Sequence, residues 1–169
     1  MTFASPAPPV PDHRGNDRDR PAAAGFHAIV VPVNTRQGQL PAAILHLACR
    51  LAAERRAQIA LLAFTDIPLW EDMDVDLPEA EEITLRWAAE ARALASRYGV
   101  GIQVSHRRTR DPAELILAEA RRRRAQLILL GATGHRRDTY RALAGDTTTR
   151  RVLQQADVCT MFIQSEPAA

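Results

Sequence analysis

Five short apolar runs alternating with helical stretches predict an α/β fold, a doubly wound five-stranded parallel sheet with helices on both faces. Most of the runs are almost unbroken in Val, Ile, Leu and Ala, as strands buried on both faces require. A helical pattern lies between each run and the next, so the strands are joined by crossovers, which are right-handed in such sheets.

The elements follow in order. Residues 27–33, with Ile29, Val30, Val31 and Val33, read as the first strand. Residues 40–56 place Ile44, Leu47, Cys49 and Leu51 at roughly helical spacing, and Pro41 suits a first turn, where a missing N–H is no loss. Residues 58–65 form a second apolar strand. The next stretch is acidic and irregular, holding Asp66, Glu71, Asp72, Asp74 and Asp76, and reads as a solvated loop. A long helix covers residues 78–98, with Gly99 where a C-cap belongs. Residues 101–106 alternate as a third strand. Asp111 and Pro112 open a third helix as N-cap and first helical residue, and Arg121 to Arg124 suit the negative end of its dipole. Residues 126–130 are a fourth strand, a glycine-marked loop runs over 131–146, residues 147–155 make a short helix, and residues 158–163 a last strand.

Composition bounds the function. The chain has 169 residues, 46% hydrophobic and 25% charged, enough for one domain with a proper core. Residues 1–25 hold five prolines, scattered charge and almost no large apolar side chain, and are expected to be a disordered tail. The domain is expected over residues 26–164, with a C-terminal tail at 165–169. A net charge of +2 gives no nucleic-acid footprint. No apolar run reaches the length of a membrane span, and the start lacks the order of a signal peptide. Cys49 and Cys159 have no metal-type or CxxC neighbours. A cytoplasmic protein without membrane insertion is expected. Every basic residue is arginine, a side chain whose fork suits phosphate or carboxylate, although most of these arginines read as solvated surface.

The stretch most suggestive of chemistry is Gly131-Ala132-Thr133-Gly134-His135-Arg136-Arg137, followed by Gly145-Asp146-Thr147-Thr148-Thr149. Glycines just after a strand let backbone approach a ligand, and threonines opening a helix cap it beside free N–H groups that attract phosphate. On its own the pattern fits a tight turn and a capped helix equally well. His46, His106 and His135 lack metal-ligand spacing, Ser96, Ser105 and Ser165 lack a nucleophile-elbow setting, and Trp70 and Trp87 are isolated. No acid–base pair stands out, so strong catalysis is not expected.

The segments Ile29-Val30-Val31-Pro32-Val33-Asn34, Ile59-Ala60-Leu61-Leu62-Ala63-Phe64, Asp111-Pro112-Ala113 and the run from Ala125 to Gly131 stand in an order that, over residues 27–163, resembles the universal stress protein family. The resemblance implies strand order 3-2-1-4-5 and an ATP or other adenine-nucleotide ligand, with or without magnesium. It also implies a homodimer formed through the last strand, from Val158 to Ile163. The implied nucleotide-binding residues are Val33, Asn34, Phe64, Gly131, Gly134, Arg136, Gly145, Thr147 and Thr148. The chain departs from the family pattern at three places. Asn34 replaces an aspartate, Phe64 replaces a smaller aliphatic residue, and ten residues instead of nine separate Gly134 from Gly145, which brings Asp146 into the phosphate loop.

The leading expectation is a nucleotide-binding stress-response or regulatory sensor without strong catalysis, at most hydrolysing ATP slowly. The alternatives are a ligand-free regulatory domain acting on a protein partner, for instance a transporter in trans, and a weak nucleotide hydrolase. Adenine dinucleotides and cyclic nucleotides fit the same pocket with fewer phosphates near Asp146.

Overall fold

The computed structural model describes residues 27–74, 76–133 and 147–165, with residues 132, 133, 164 and 165 described by backbone alone. In chain order they form β1 (Ala28–Asn34), a 3-10 turn (Thr35–Gln37), α1 (Ala42–Arg55), β2 (Gln58–Asp66), α2 (Pro78–Arg97) and β3 (Ile102–Thr109). α3 (Pro112–Arg123), β4 (Leu127–Thr133), α4 (Thr147–Gln155) and β5 (Cys159–Ser165) complete them. The five strands make one all-parallel sheet in the order β3-β2-β1-β4-β5, as expected, with β3 and β5 at its edges.

Period-2 alternation sorts the sheet's side chains into two cores. Ile29, Val31 and Val33 of β1, Ile59, Leu61 and Ala63 of β2, and Leu127 and Leu129 of β4 face α1 and α2. The intervening Val30, Ala60, Leu62, Phe64, Ile128 and Leu130 face α3 and α4. On the first face α1 contributes Ile44, Leu45, Ala48, Cys49 and Ala52, and α2 contributes Trp87, which is fully buried. Cys49 lies in this core, where burial raises its thiol pKa and keeps it inert.

The helix ends follow the sequence closely. The Asp111 carboxylate accepts from the Glu114 amide at 3.1 Å, with Pro112 as first helical residue. Gly99 takes a φ of 67° just beyond α2. Arginines close the other two long helices: Arg56 after α1 and Arg124 after α3 sit at φ 54° and 48°, a conformation that costs a side-chain-bearing residue energy. The arginines of α3 face carboxylates. Arg121 reaches Glu114 at 2.6 Å, and Arg122 and Arg123 both hold Glu119, which is 7% exposed.

Every strand runs past its expected end, β3 and β4 the furthest, by three residues each. β3 continues to Thr109 because Thr65 and Asp66 supply ladder partners for Arg108 and Thr109. β4 continues through Gly131 to Thr133 because β5 pairs with it to the end. Pro41 sits one residue ahead of α1, at its N-cap.

Candidate functional site

The site begins with a break in the sheet. β1 pairs with β2 along its whole length, yet its ladder with β4 holds only Ile29 opposite Leu127 and Val30 opposite Ile128. Pro32 gives the reason. The Ala28 carbonyl accepts from the Gln126 amide, so the even-numbered residues of β1 aim their polar groups at β4. At Pro32 that direction has no N–H to offer. Beyond it β1 and β4 separate, at the point where the winding of the sheet reverses and where ligands of doubly wound sheets sit.

A cavity of about 190 Å³ occupies this split. Pro32 and Asn34 of β1, Phe64 and Asp66 of β2, Leu130 and Gly131 of β4, Pro112 and Ile116 of α3, Thr148 and Thr149 of α4, and Gln37 line it. Four of the expected site residues, Asn34, Phe64, Gly131 and Thr148, are therefore together. Gln37, Asp66, Thr149, Pro112 and Ile116 are added by the fold. Gly134, Arg136 and Gly145, like Asp146, lie outside the described residues.

Each placement has a local cause. Asn34 ends β1 and caps the 3-10 turn, its Oδ1 accepting from the Arg36 amide at 3.0 Å. That bond fixes the amide orientation, leaving the Nδ2 donors available to the cavity side. Val33 is next to Asn34 but has the opposite parity, so its side chain is buried with α1 and α2 and only its backbone belongs to the strand end. Thr147 is the exposed first residue of α4 and does not line the cavity. Gly131 has no positive φ. It is a glycine because Ile44 of α1 packs over it: a Cβ there would fall inside the Ile44 δ-methyl and 2.9 Å from its Cγ1. The tight turn expected of this glycine is replaced by close helix-on-strand packing behind the cavity.

Two polar linkages surround the site. On the α3 side, Arg151 of α4 donates to both Asp111 oxygens at 2.8 and 2.9 Å, fastening the helix that carries Thr148 and Thr149 to the start of α3. The Glu114 amide, then Arg151, hold the Asp111 carboxyl below its ordinary pKa. On the opposite face of the sheet, Thr35 Oγ1 donates to the Phe64 carbonyl at 3.3 Å and meets Thr65 Oγ1 at 2.7 Å, and Thr65 meets His106 Nε2 at 2.8 Å. The Thr35 and Thr65 protons are both spent within this chain of contacts. Burial, then the nearby Arg108, lower the His106 pKa. Sequence spacing gave no hint of this chain, because its members meet only across three paired strands.

Residues 25–163 match the universal stress protein family. The chain belongs to that family. A search of curated proteins finds no match in sequence. Solved structures share the fold. A universal stress protein family protein from Burkholderia pseudomallei is 22% identical with a TM-score of 0.63, covering 84% of this chain and 98% of its own. The universal stress protein from Archaeoglobus fulgidus in complex with dAMP is 19% identical with a TM-score of 0.58, over 82% and 98% of the two chains. One from Arabidopsis thaliana with AMP bound is 14% identical with a TM-score of 0.55, over 82% and 91%. As a universal stress protein, this chain carries its cavity where the family's doubly wound sheet reverses. Among the described residues no helix is long and apolar enough to cross a membrane, and no group of three or more His, Cys, Asp or Glu side chains is placed to hold a metal ion.

Proposed function

We propose that this universal stress protein is a nucleotide-binding sensor module whose ligand is an adenine nucleotide seated between β1 and β4. The observation that supports it most is the cavity opened by the truncated β1·β4 ladder, where Asn34, Phe64, Gly131 and Thr148 converge. Phe64 offers an aromatic surface for a base, and Asn34 offers donors to ring nitrogens or to hydroxyl groups. Thr148 and Thr149, in the first turn of α4, line the same cavity and bring a helix N-terminus, where anions are favoured, to its wall. The family members that carry dAMP and AMP favour the same ligand class. Asp66, the one charged side chain lining the cavity among the described residues, favours a ligand with few phosphates: its carboxylate accepts from ribose hydroxyls and repels a polyphosphate. AMP-type ligands are thus preferred to ATP with magnesium, any hydrolysis is slow, and the response is passed to a regulatory protein partner by a homodimer paired along β5.

The test is calorimetric titration of the purified protein with AMP, ADP, ATP and cyclic AMP, after mass spectrometry of whatever it releases on denaturation. AMP binding that weakens at least about tenfold in Asn34→Ala and Phe64→Ala supports the reading, equivalent to about 1.4 kcal/mol or more. Absence of a released nucleotide and of heat with all four ligands refutes it in favour of a ligand-free regulatory domain.

A further inference from the structure

The opposite face of the sheet carries a second, larger cavity of about 410 Å³, lined by Thr35, Arg36, Gly38, Thr65, Glu71, Leu77, Glu79, Ala80 and Ile83. Its polar character is one-sided. The Thr35 and Thr65 protons are already spent within the chain of contacts that joins Phe64 to His106, so these hydroxyls can only accept. Glu71 and Glu79 add two carboxylates, and among the described residues no ion pair reaches either. Arg36 is the one charged donor, and its Nε is held by the Asp66 carbonyl at 3.2 Å. Leu77, Ala80 and Ile83 form an apolar wall. Such a cavity fits a donor-rich cation on an aliphatic stem, the description of an arginine side chain.

The chain beside it is shaped for contact. The Glu71 amide donates to the Pro68 carbonyl at 3.1 Å, closing a β-turn that places Leu69 and Trp70 at its tip, 82% and 86% exposed. This turn is anchored: Arg110 donates to the Glu71 carbonyl at 2.6 Å, and Arg108 to the Met73 carbonyl at 3.3 Å. A bare tryptophan on an anchored turn is the residue type and setting of an interface anchor. Arg36, Arg108 and Arg110 reach this patch from other elements, but the segment that forms it makes the patch net acidic. From Asp66 to Leu85 the sequence holds eight acidic side chains and no basic one, which disfavours nucleic acid and anionic membrane and favours a basic protein surface.

We infer that the Leu69–Trp70 turn and the adjoining cavity are a docking surface for a basic segment of a partner protein, which inserts one arginine between Glu71 and Glu79 and covers Trp70 with aliphatic side chains. The surface is separate from the nucleotide cavity, yet Thr35 and Thr65 directly follow Asn34 and Phe64 in sequence.

The test uses the full chain and a panel of labelled peptides of about twelve residues, each with one arginine and two leucines three and four positions away. Matched controls carry citrulline for arginine or serine for both leucines. Fluorescence anisotropy is expected to show binding of the parent peptides, weaker by about tenfold or more in either control, in Trp70→Ser, and in the Glu71→Gln/Glu79→Gln pair, with added salt weakening the arginine-bearing peptides and not the citrulline control. Trp70 and Glu79 are exposed and Glu71 half-exposed, so unchanged circular dichroism will certify the variants. Equal binding of all peptides, or binding of none, overturns the inference. So does equally tight binding of N-acetyl-arginine amide, which would make the cavity a small-cation site. Self-association lost in Trp70→Ser, seen by sedimentation, would assign the face to a second copy instead.

Discussion

Gly131 lies on the cavity, but the structure assigns its lack of a side chain to packing, and that assignment has a measurable consequence. In Gly131→Ala the new methyl meets Ile44, which is 1% exposed and has little room to turn away. Overpacking of this kind costs about 1–3 kcal/mol. Against it stands a gain of about 0.4–1 kcal/mol from a stiffer unfolded chain, available because Gly131 has no positive φ. The overpacking wins. Ile44→Val alone removes the δ-methyl and costs about 0.5–1.5 kcal/mol. In the double variant the alanine methyl occupies the space that methyl has left, with some residual crowding at Cγ1. The two changes should therefore compensate by about 1 kcal/mol or more relative to their sum. Urea unfolding followed by circular dichroism, with a shared slope for all four proteins, reads the cycle. A Gly131→Ala protein as stable as the parent, or strict additivity with Ile44→Val, refutes the packing account and returns Gly131 to the ligand.

Further outcomes follow from the helix ends, the ion pairs and the split sheet. Asp111→Ala loses both the α3 cap and the exposed ion pair with Arg151, and the cap alone should cost about 1 kcal/mol, whereas Asp111→Asn retains a cap and gives up only the ion pair, worth about 0–1 kcal/mol; thermal melts that coincide for the two variants would show that the cap contributes nothing and the ion pair dominates. Hydrogen bonds from Arg122 first, then Arg123, hold the Glu119 carboxyl below its ordinary pKa. Its contribution is therefore present above the normal glutamate value and lost as pH falls through the depressed one, so Glu119→Gln should flatten the acid limb of stability measured from about pH 7 to about pH 3. Arg124→Gly relieves a left-handed residue and should raise stability by up to about 1 kcal/mol, read as a higher denaturation midpoint. Pro32→Ala restores a donor facing β4 and should slow amide exchange in the last residues of β1 while weakening AMP binding; faster exchange there would contradict the role given to Pro32.

The fold was legible because each strand is a short run with its own punctuation: the Asp111-Pro112 cap, Gly99 after α2, and the apolar blocks at β1, β2 and β4. The site was legible only in part. Asn34, Phe64, Gly131 and Thr148 came through the family resemblance. Gln37, Asp66 and Thr149 join them because three strand ends and a helix start converge, which no local spacing records. Two signals were nevertheless present. Strand parity puts Asn34 with Pro32 and sends the Val33 side chain to the other face. A proline inside a central strand marks a place where a ladder must stop. The buried chain from Thr35 to His106 left no trace in sequence, since its residues are neighbours only through the register of β1, β2 and β3.

The two edges of the sheet differ in kind. β3 ends in His106, Arg107, Arg108 and Thr109 and is followed by Arg110, while β5, Cys-Thr-Met-Phe-Ile-Gln-Ser, carries no charge. Arginines along an edge oppose the approach of another sheet, and an uncharged strand does not. If the proposed homodimer forms along β5, the only edges it leaves free are the arginine-bearing β3 strands, which oppose the addition of further sheets and so disfavour growth of the pair into a fibre.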